Sequence, residues 1–534
     1  MVSCQSTLPW TICHPELEDP EVLCVPTSGL SAGHNDTDPV LLPASNSTPY
    51  IASSEQYFKA GVLKEVRDMS VEGLGAPDAS LGLCLLVTWL LIFLALCRGV
   101  RSSGKMAYFT ALFPYLVMAV LLVRGLTLPG ATKAEMNIFL KIWGKIFLDT
   151  FLFIQSFENF KNIQLFTQGL VYFFTPQWER LLEPGVWYAA VTQSFFSLGV
   201  GFGVIVTYSS YNKFHHNSYR DALIISIADT LTSILAGTII FAILGHLSHE
   251  LGVPITQVVR SGAGLAFVSY PEVIAKFDVA PQLFSVLFFL MLITLGLGSA
   301  MGMISNIITV VCDALPARSR LLITASICLL GLLSGLLYVT PGGQGLLGLV
   351  DYYGGSLLVL ALALVEVLGV AWVYGVSTII RDLNIMLNRN LGWYWRLCWG
   401  LVAPVVLAVI LGYSVSDYTP VTHNHTPLPV HYQVSGWLIT VLGFMFVPVF
   451  ILINIYRKGF KLAFRDVSGW RPAREDDCSY WRKCLDTTEN PFQIELKEEK
   501  SKKDHSEEDR DRSMAQKVLY PDIENDLNVT NPGL

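Results

Sequence analysis

The sequence predicts an all-α polytopic membrane protein, and three observations carry that prediction. Nine apolar runs each reach the roughly 20 residues that about 30 Å of hydrocarbon demands. Hydrophobic residues make up 52% of the 534-residue chain and charged residues 15%, with a mean hydropathy of +0.48, more apolar surface than a soluble protein can cover. The runs are also continuous rather than alternating, so strands, whose edges lipid would leave unpaired, do not compete. A net charge of -7 leaves no basic face for phosphate and argues against a nucleic-acid partner.

Residues 1–79 read as an extracellular segment. Asn35-Asp36-Thr37 and Asn46-Ser47-Thr48 are glycosylation acceptors, and Cys13 with Cys24 is spaced for a loop disulfide, all suited to an oxidising compartment. Nothing before Ser3 has the charged and apolar regions of a signal peptide, so the sequence predicts delivery by an upstream membrane span that it does not itself contain. The first run, 80–98, is followed by Arg98, Arg101 and Lys105, which places the next loop in the cytoplasm. The second, 106–126, returns outward. The third (186–211) and fourth (221–246) enclose Lys213 and Arg220, and the fifth (281–312) and sixth (320–340) enclose Arg318, with Arg320 at the start of the sixth. Between the seventh (345–375) and eighth (396–414) lie Arg381 and Arg389, with Arg396 at the eighth run's start. Each of these loops falls on the inner side, while Asn424-His425-Thr426, a third acceptor, falls outside, before the ninth run at 432–456.

Two segments stand apart. Residues 457–534 form a polar cytoplasmic tail, and its mixed-charge stretch from Glu495 to Ser513 has too few apolar residues to fold alone, so the tail is expected to be largely disordered and its acceptor at Asn528 unused. Residues 133–167 are rich in Phe, Ile, Lys and Asn. They read either as an extra amphipathic helix carrying Lys141 and Lys145, or, the reading we favour, as sequence translated from an unspliced intron.

The chemistry concentrates in the third run. Gln193 to Gly203 contains Gly199, Gly201 and Gly203, three alternating glycines near the middle of a membrane helix. Each costs about 1 kcal/mol against Ala. A helix broken there must line a cavity, where freed carbonyls and amides bind ions and a charged solute, as in secondary transporters; close packing of helices through small residues is the alternative. The spacing is not a nucleotide fingerprint, since no strand precedes it. A charge at mid-bilayer costs about 2.5–3.5 kcal/mol on insertion scales and so marks a pathway. Asp229, Asp351 and Glu366 are such groups. Asp229 is placed to coordinate a cation, with Ser233 one turn away on the same face; a hydrogen-bonded structural carboxyl is the alternative. Asp351 reads equally as an interfacial residue, and Glu366 has no partner that the sequence names. Cys84, Cys97, Cys312, Cys328 and Cys398 fall in or beside the runs as small buried hydrophobes. No metal-ligand cluster, phosphate loop or nucleophile motif supports an enzyme, and His215 with His216 reads as a solvated inner loop.

Several stretches together resemble one family. Gln193 to Lys213 with Tyr219-Arg220-Asp221-Ala222-Leu223 resembles the sixth membrane helix and following loop of the neurotransmitter:sodium symporters. Leu8-Pro9-Trp10 with Cys13 and Cys24 resembles the family's second outer loop, Thr294 to Ser299 its eighth helix, and Trp372-Val373-Tyr374-Gly375 with Arg381-Asp382 its tenth. The likeness covers most of residues 1–465 apart from 133–167, and Leu295 to Ser299 with Asp229 most resembles the insect nutrient amino-acid transporters. It implies a LeuT-like inverted-repeat fold of which this chain holds nine of twelve helices, in the plasma membrane with a cytoplasmic C-terminus.

The resemblance also implies roles. Phe196 closes over the solute; Ser197, Gly199, Gly201 and Phe202 line the amino-acid pocket; and Ser299, Ala300 and Met303 form its far wall. Ser197 and Asp229 belong to one sodium site, Leu295 and Ser299 to a second. Gln193, Ser197 and Ser233 match a chloride site, and Asp351 the acidic half of an outer gate. Where many members have Asn, Asp229 brings a fixed charge that is expected to weaken the need for chloride and relax selectivity towards potassium. Gly298 replaces a residue with a side-chain oxygen, which is expected to weaken the second sodium site. The reading is a cation-coupled symporter of neutral amino acids working by alternating access, with sodium, potassium or chloride as co-transported ions and no resident cofactor. Since the family's first helices complete both sodium sites, the chain as given is expected not to transport. The alternatives are a non-transporting isoform that regulates full-length partners, and a neurotransmitter or osmolyte transporter of the same family. Which amino acids are preferred, and whether the protein forms a homo-oligomer, stay open.

Overall fold

The computed structural model describes residues 9–14, 23–25, 50–66, 73–127, 172–251, 264–275, 280–423, 426–460, 472 and 474–486. The acceptors Asn35, Asn46, Asn424 and Asn528, the stretch 133–167 and the charged tail from Glu495 lie outside the described residues.

Every apolar run forms helix. α1 is Ala79–Leu96, α2 Val100–Thr127, α3 Pro184–Leu198, α4 Val204–Ser209, α5 Ser218–Leu251, α6 Pro281–Ala314 and α7 Arg320–Gly335. α8 is the 45-residue helix Gly343–Leu387, α9 is Trp393–Ser416 and α10 is Val430–Lys458. α11, Glu475–Asp486, lies in the tail. Among the described residues seven helices are long and apolar enough to cross a membrane, and α7, at 16 residues, is a shorter apolar one. The protein is a multi-pass membrane protein. Among the described residues, strands are confined to two short pairs outside the runs: β1 (Leu23–Val25) runs parallel to β2 (Tyr50–Ala52), and β3 (Thr422–His423) antiparallel to β4 (Thr426–Pro427).

The structure corrects three of the expected boundaries. The third run is two helices, α3 and α4, parted at the glycines. The sixth stops at Gly335 rather than 340, because Thr340-Pro341-Gly342-Gly343 follows and the chain closes into turns there. The seventh continues past 375 to Leu387: Val376–Leu387 carries Arg381, Asp382 and Asn384, which an apolar criterion excludes although backbone hydrogen bonding carries the helix on. The tail is not without structure either, since α11 folds around the buried Cys478 and Cys484.

α8 and α9 contain π-helical stretches, Asp351–Leu358, Gly369–Gly375 and Cys398–Val402. Each extra residue per turn rotates the faces downstream.

The chain divides into two compact units, each described on its own terms. The first comprises residues 1–210, 223–362 and 410–446, and α6 is its axis. The N-terminal half of α6 places Phe288 and Met291 in a cluster with Val117 and Leu121 of α2 and Ile239, Ile243 and Leu244 of α5. Its C-terminal half places Met301, Ile304 and Ile308 against Ile92, Ala95 and Leu96 of α1 and Cys328 of α7. Lipid is as apolar as these side chains, so close packing rather than water exclusion holds such helices together, and small residues permit it. Trp89 of α1 lies over Gly331 of α7, where a Cβ would fall 2.0 Å from the indole. Outside the helices, Cys13 and Cys24 form the disulfide that their spacing predicts. Trp10 donates its indole N–H to the Pro271 carbonyl at 3.0 Å and accepts the Ser53 hydroxyl at 3.0 Å. His423, buried, meets the Val66 carbonyl at 3.2 Å and the Glu65 carboxylate at 3.5 Å.

The second unit comprises 211–222, 363–409 and 447–534. His215 is exposed, as expected of a solvated loop, and also forms a junction here. Its Nδ1 lies 3.3 Å from the Met386 carbonyl, its Nε2 4.0 Å from Asp477 of α11, and its ring meets Tyr480 edge to face. Tyr219 carries the Arg389 guanidinium over its ring at 4.7 Å, and His216 pairs with Asp221 at 2.5 Å. Asp382, buried, accepts the Tyr374 hydroxyl across Gly375, whose φ is 100°.

Two outcomes are expected. Gly331→Ala should cost about 1–3 kcal/mol through overpacking and lower the melting temperature in detergent, with Trp89→Leu restoring part of the loss; an unchanged melting temperature would show that α1 and α7 are not so close. Asp78 caps α1, accepting the Ser80 and Leu81 amides at 3.0 and 3.2 Å. The Lys64 ammonium foremost, then the Ser80 hydroxyl and the Leu81 amide, hold its carboxyl well below the usual carboxylate range. A lowered folded value stabilises above the unfolded pKa of about 4, and that stability is lost as pH falls towards the folded value. The gap in melting temperature between the wild type and Asp78→Asn should therefore be full at neutral pH and close in acid below about pH 4.

Candidate solute and ion site

α3 ends at Leu198 because Gly199-Val200-Gly201-Phe202-Gly203 follows. Gly199, Gly201 and Gly203 have φ of 63°, 81° and 73°, in the left-handed region. A residue with a Cβ resists that region by about 1–2 kcal/mol. The amides of Gly199 and Val200 turn back onto the Phe196 and Phe195 carbonyls at 3.1 and 3.0 Å, and helix resumes when the Thr207 amide reaches the Gly203 carbonyl at 2.9 Å. The carbonyls of Leu198, Gly199, Val200 and Gly201 accept no hydrogen bond among the described residues. A bare carbonyl in hydrocarbon costs several kcal/mol. This turn needs water, an ion or a polar solute beside it.

A carboxylate stands at the break. Ser197, in the last turn of α3, donates its hydroxyl to Asp229 Oδ1 of α5 at 2.5 Å. Asp229 is eleven residues beyond Ser218, where α5 starts, about 16 Å at 1.5 Å per residue and so close to the middle of a bilayer. One hydroxyl does not offset a carboxylate at that depth; a bound cation would. The donor set of a carboxylate, a hydroxyl and backbone carbonyls is entirely hard oxygen, which suits an alkali or alkaline-earth ion and not a soft metal.

α6 supplies the third side. Leu295, Ser299 and Met303 recur every four residues, form one exposed stripe, and stand on the face where Gly302 meets Val204 of α4: a Cβ on Gly302 would lie 3.1 Å from the Val204 side chain. Asn306 continues the stripe. Its Nδ2 donates to the Phe202 carbonyl at 3.0 Å and its Oδ1 accepts the Thr207 hydroxyl at 2.5 Å. Neither Asn306 nor Thr207 is among the residues expected from sequence. The available signal was a carboxamide in an apolar helix, seven residues beyond Ser299 and hence on its face.

The other expected residues are placed as follows. Phe196 and Phe202 flank the break with rings edge to face, centroids 6.1 Å apart, and Phe196 is 60% exposed. Gln193 lies one turn before Ser197 on α3 and Ser233 one turn after Asp229 on α5, both exposed. Ala300 turns from the stripe into the cluster around Ile92 and Met301. Gly298 faces α2, where a Cβ would lie 3.3 Å from the Thr110 hydroxyl. Asp351 opens the first π-helical stretch of α8, exposed, at the level of Gly355. Glu366, in the second unit, is exposed and has no hydrogen-bond or ion-pair partner among the described residues.

Comparison with known proteins addresses this constellation. A profile described as the sodium:neurotransmitter symporter family matches residues 1–159 and 160–458, two segments that meet within the stretch 133–167. The sodium-dependent nutrient amino acid transporter 1 of Drosophila persimilis is 42% identical over 499 residues, covering 90% of this chain and 70% of its own length. Those of Drosophila mojavensis and Drosophila melanogaster are each 41% identical, over 492 and 502 residues, covering 90% of this chain and 70% and 72% of their own lengths.

Gly201→Ala should cost about 1–2 kcal/mol from its left-handed φ and lower the melting temperature. Ala at Gly104, a helical position with open space around it, should leave it unchanged or raise it. Equal effects of the two substitutions would show that the chain is not unwound at 201.

Proposed function

Because this chain belongs to the sodium:neurotransmitter symporter family, we propose that it carries neutral amino acids across the plasma membrane, coupled to sodium and to a lesser degree potassium, by alternating access. The observation that carries this reading is the Ser197–Asp229 contact beside the unwound turn: a carboxylate at mid-membrane next to free carbonyls is a cation site. The relatives are sodium-dependent nutrient amino acid transporters by name, and the residues around the break fit such a solute. A zwitterion's ammonium and carboxylate match freed carbonyls and amides. Phe196, Phe202 and Met303 offer apolar and aromatic surface to its side chain, with no cationic or second acidic group among them.

Coupling follows from linkage. A cation between Asp229, Ser197 and the turn stabilises the conformation that binds the solute, and the solute stabilises cation binding by the same free energy. Leu295 and Ser299 on α6 form the second ion position, with the Thr110 hydroxyl at hand where Gly298 brings no oxygen of its own. Gln193, Ser197 and Ser233 would hold an anion. With Asp229 already negative, chloride adds like charge, so transport proceeds without it.

The Ser197–Asp229 contact at the break supports transport over the inactivity expected from sequence, and the test that separates the two is uptake of labelled leucine by cells expressing the chain, in sodium, potassium or choline, and with chloride replaced by gluconate. Sodium-driven uptake, weaker uptake in potassium, none in choline and no effect of gluconate are expected. Asp229→Asn should weaken the apparent sodium affinity and bring in a chloride requirement. Uptake as large in choline as in sodium would sink the reading, as would a surface-resident protein that takes up no amino acid.

A further inference from the structure

Of the backbone oxygens released between α3 and α4, the one at Phe202 is held by a side chain. Asn306 donates to it at 3.0 Å, while the amide's oxygen takes the Thr207 hydroxyl at 2.5 Å. A carboxamide oxygen only accepts, so Thr207 is the donor and the orientation of the amide is set. Thr207 is buried, one turn into α4. Gly203 lies between the two contacts, and a Cβ there would fall 2.7 Å from Asn306 Nδ2. One α6 side chain therefore grips both the last carbonyl before Gly203 and the first turn of the helix that resumes after it.

We propose that Asn306 is a positioning residue of the ion and solute site, clamping the unwound turn so that the carbonyls of Leu198 to Gly201, and not that of Phe202, are presented to the cation and the amino acid. The inference rests on reading the break as that site. Its physical content is a choice among oxygens: with the Phe202 carbonyl committed to Asn306, the turn cannot rotate that oxygen towards Asp229, and the φ values at Gly201 and Gly203 are held by the same contact. Asn306 also stands on the stripe of Leu295, Ser299 and Met303, so the clamp ties the α6 wall to the turn and a shift of one moves the other. A polar residue that merely satisfied a stray carbonyl would affect stability without changing ion binding.

The experiment separates these. Sodium-dependent binding of labelled leucine is measured on the purified full chain, together with the melting temperature without ligand, for the wild type, Asn306→Asp, Asn306→Gln and Thr207→Val. Asn306→Asp keeps the volume and the Thr207 contact but cannot donate to Phe202. It should raise the apparent sodium constant about three- to tenfold, the worth of one buried hydrogen bond, with a smaller change for leucine at saturating sodium. Thr207→Val should move the sodium constant in the same direction by less, Asn306→Gln should recover part of the wild-type value, and any fall in the ligand-free melting temperature should accompany a shift in the sodium constant rather than replace it. Lower melting temperatures with unchanged sodium and leucine constants would overturn the proposal. If Asn306→Asp fails to fold, Thr207→Val decides alone: an unchanged sodium constant rejects the clamp. A wild type that binds no leucine in sodium removes the site reading itself, and the clamp with it.

Discussion

A helix can be interrupted inside a membrane only where its released backbone groups meet something polar, because hydrocarbon offers no hydrogen bonds. That constraint organises this protein around residues 199–203. Three glycines make the interruption sterically possible, and their left-handed φ values turn the chain so that α4 can restart. The groups the interruption frees must then be answered from neighbouring helices. α6 answers with Asn306 at the Phe202 carbonyl, while α5 brings Asp229 to the Ser197 hydroxyl in the last turn before the break.

The surrounding helices are arranged to make such precision affordable in lipid, where apolar burial does not drive association. α6 touches α1, α2, α4, α5 and α7 through faces that change along its length, and small residues stand where approach is closest: Gly302 under Val204, Gly298 beside Thr110 and, across α1 and α7, Gly331 under Trp89. Contacts of this kind are dispersion over short distances, which fall off steeply with separation. They hold the α6 stripe of Leu295, Ser299, Met303 and Asn306 in a defined register against the unwound turn.

In the second unit the same logic runs through polar contacts. His215 joins its own loop to Met386 and to α11, and with Nδ1 facing a carbonyl, its Nε2 is the atom turned towards Asp477. Tyr219 and Arg389 add a cation over an aromatic face. α11 is therefore built into this unit through identifiable contacts. Its cysteines, Cys478 and Cys484, are buried with it.

What the amino-acid order determined by itself is whatever depends on local composition and spacing: runs long enough to cross a bilayer, the break at Gly199, Gly201 and Gly203, the Cys13–Cys24 bridge, and Ser197 and Asp229 as partners once the family resemblance aligned them. Each reduces to a property of neighbouring residues or of a long, specific motif. Tertiary structure decided the rest. Asn306 became a partner of Phe202 only because α6 packs on α4 across 104 residues of chain. Ala300 left the stripe of Leu295, Ser299 and Met303 because α6 also has to pack on α1. α11 found its place because His215, far away in sequence, brings its ring to Asp477 and Tyr480. Periodicity and composition describe which groups a helix offers, but which of them meet is fixed by the packing of one helix on another, and short-range order carries no record of that.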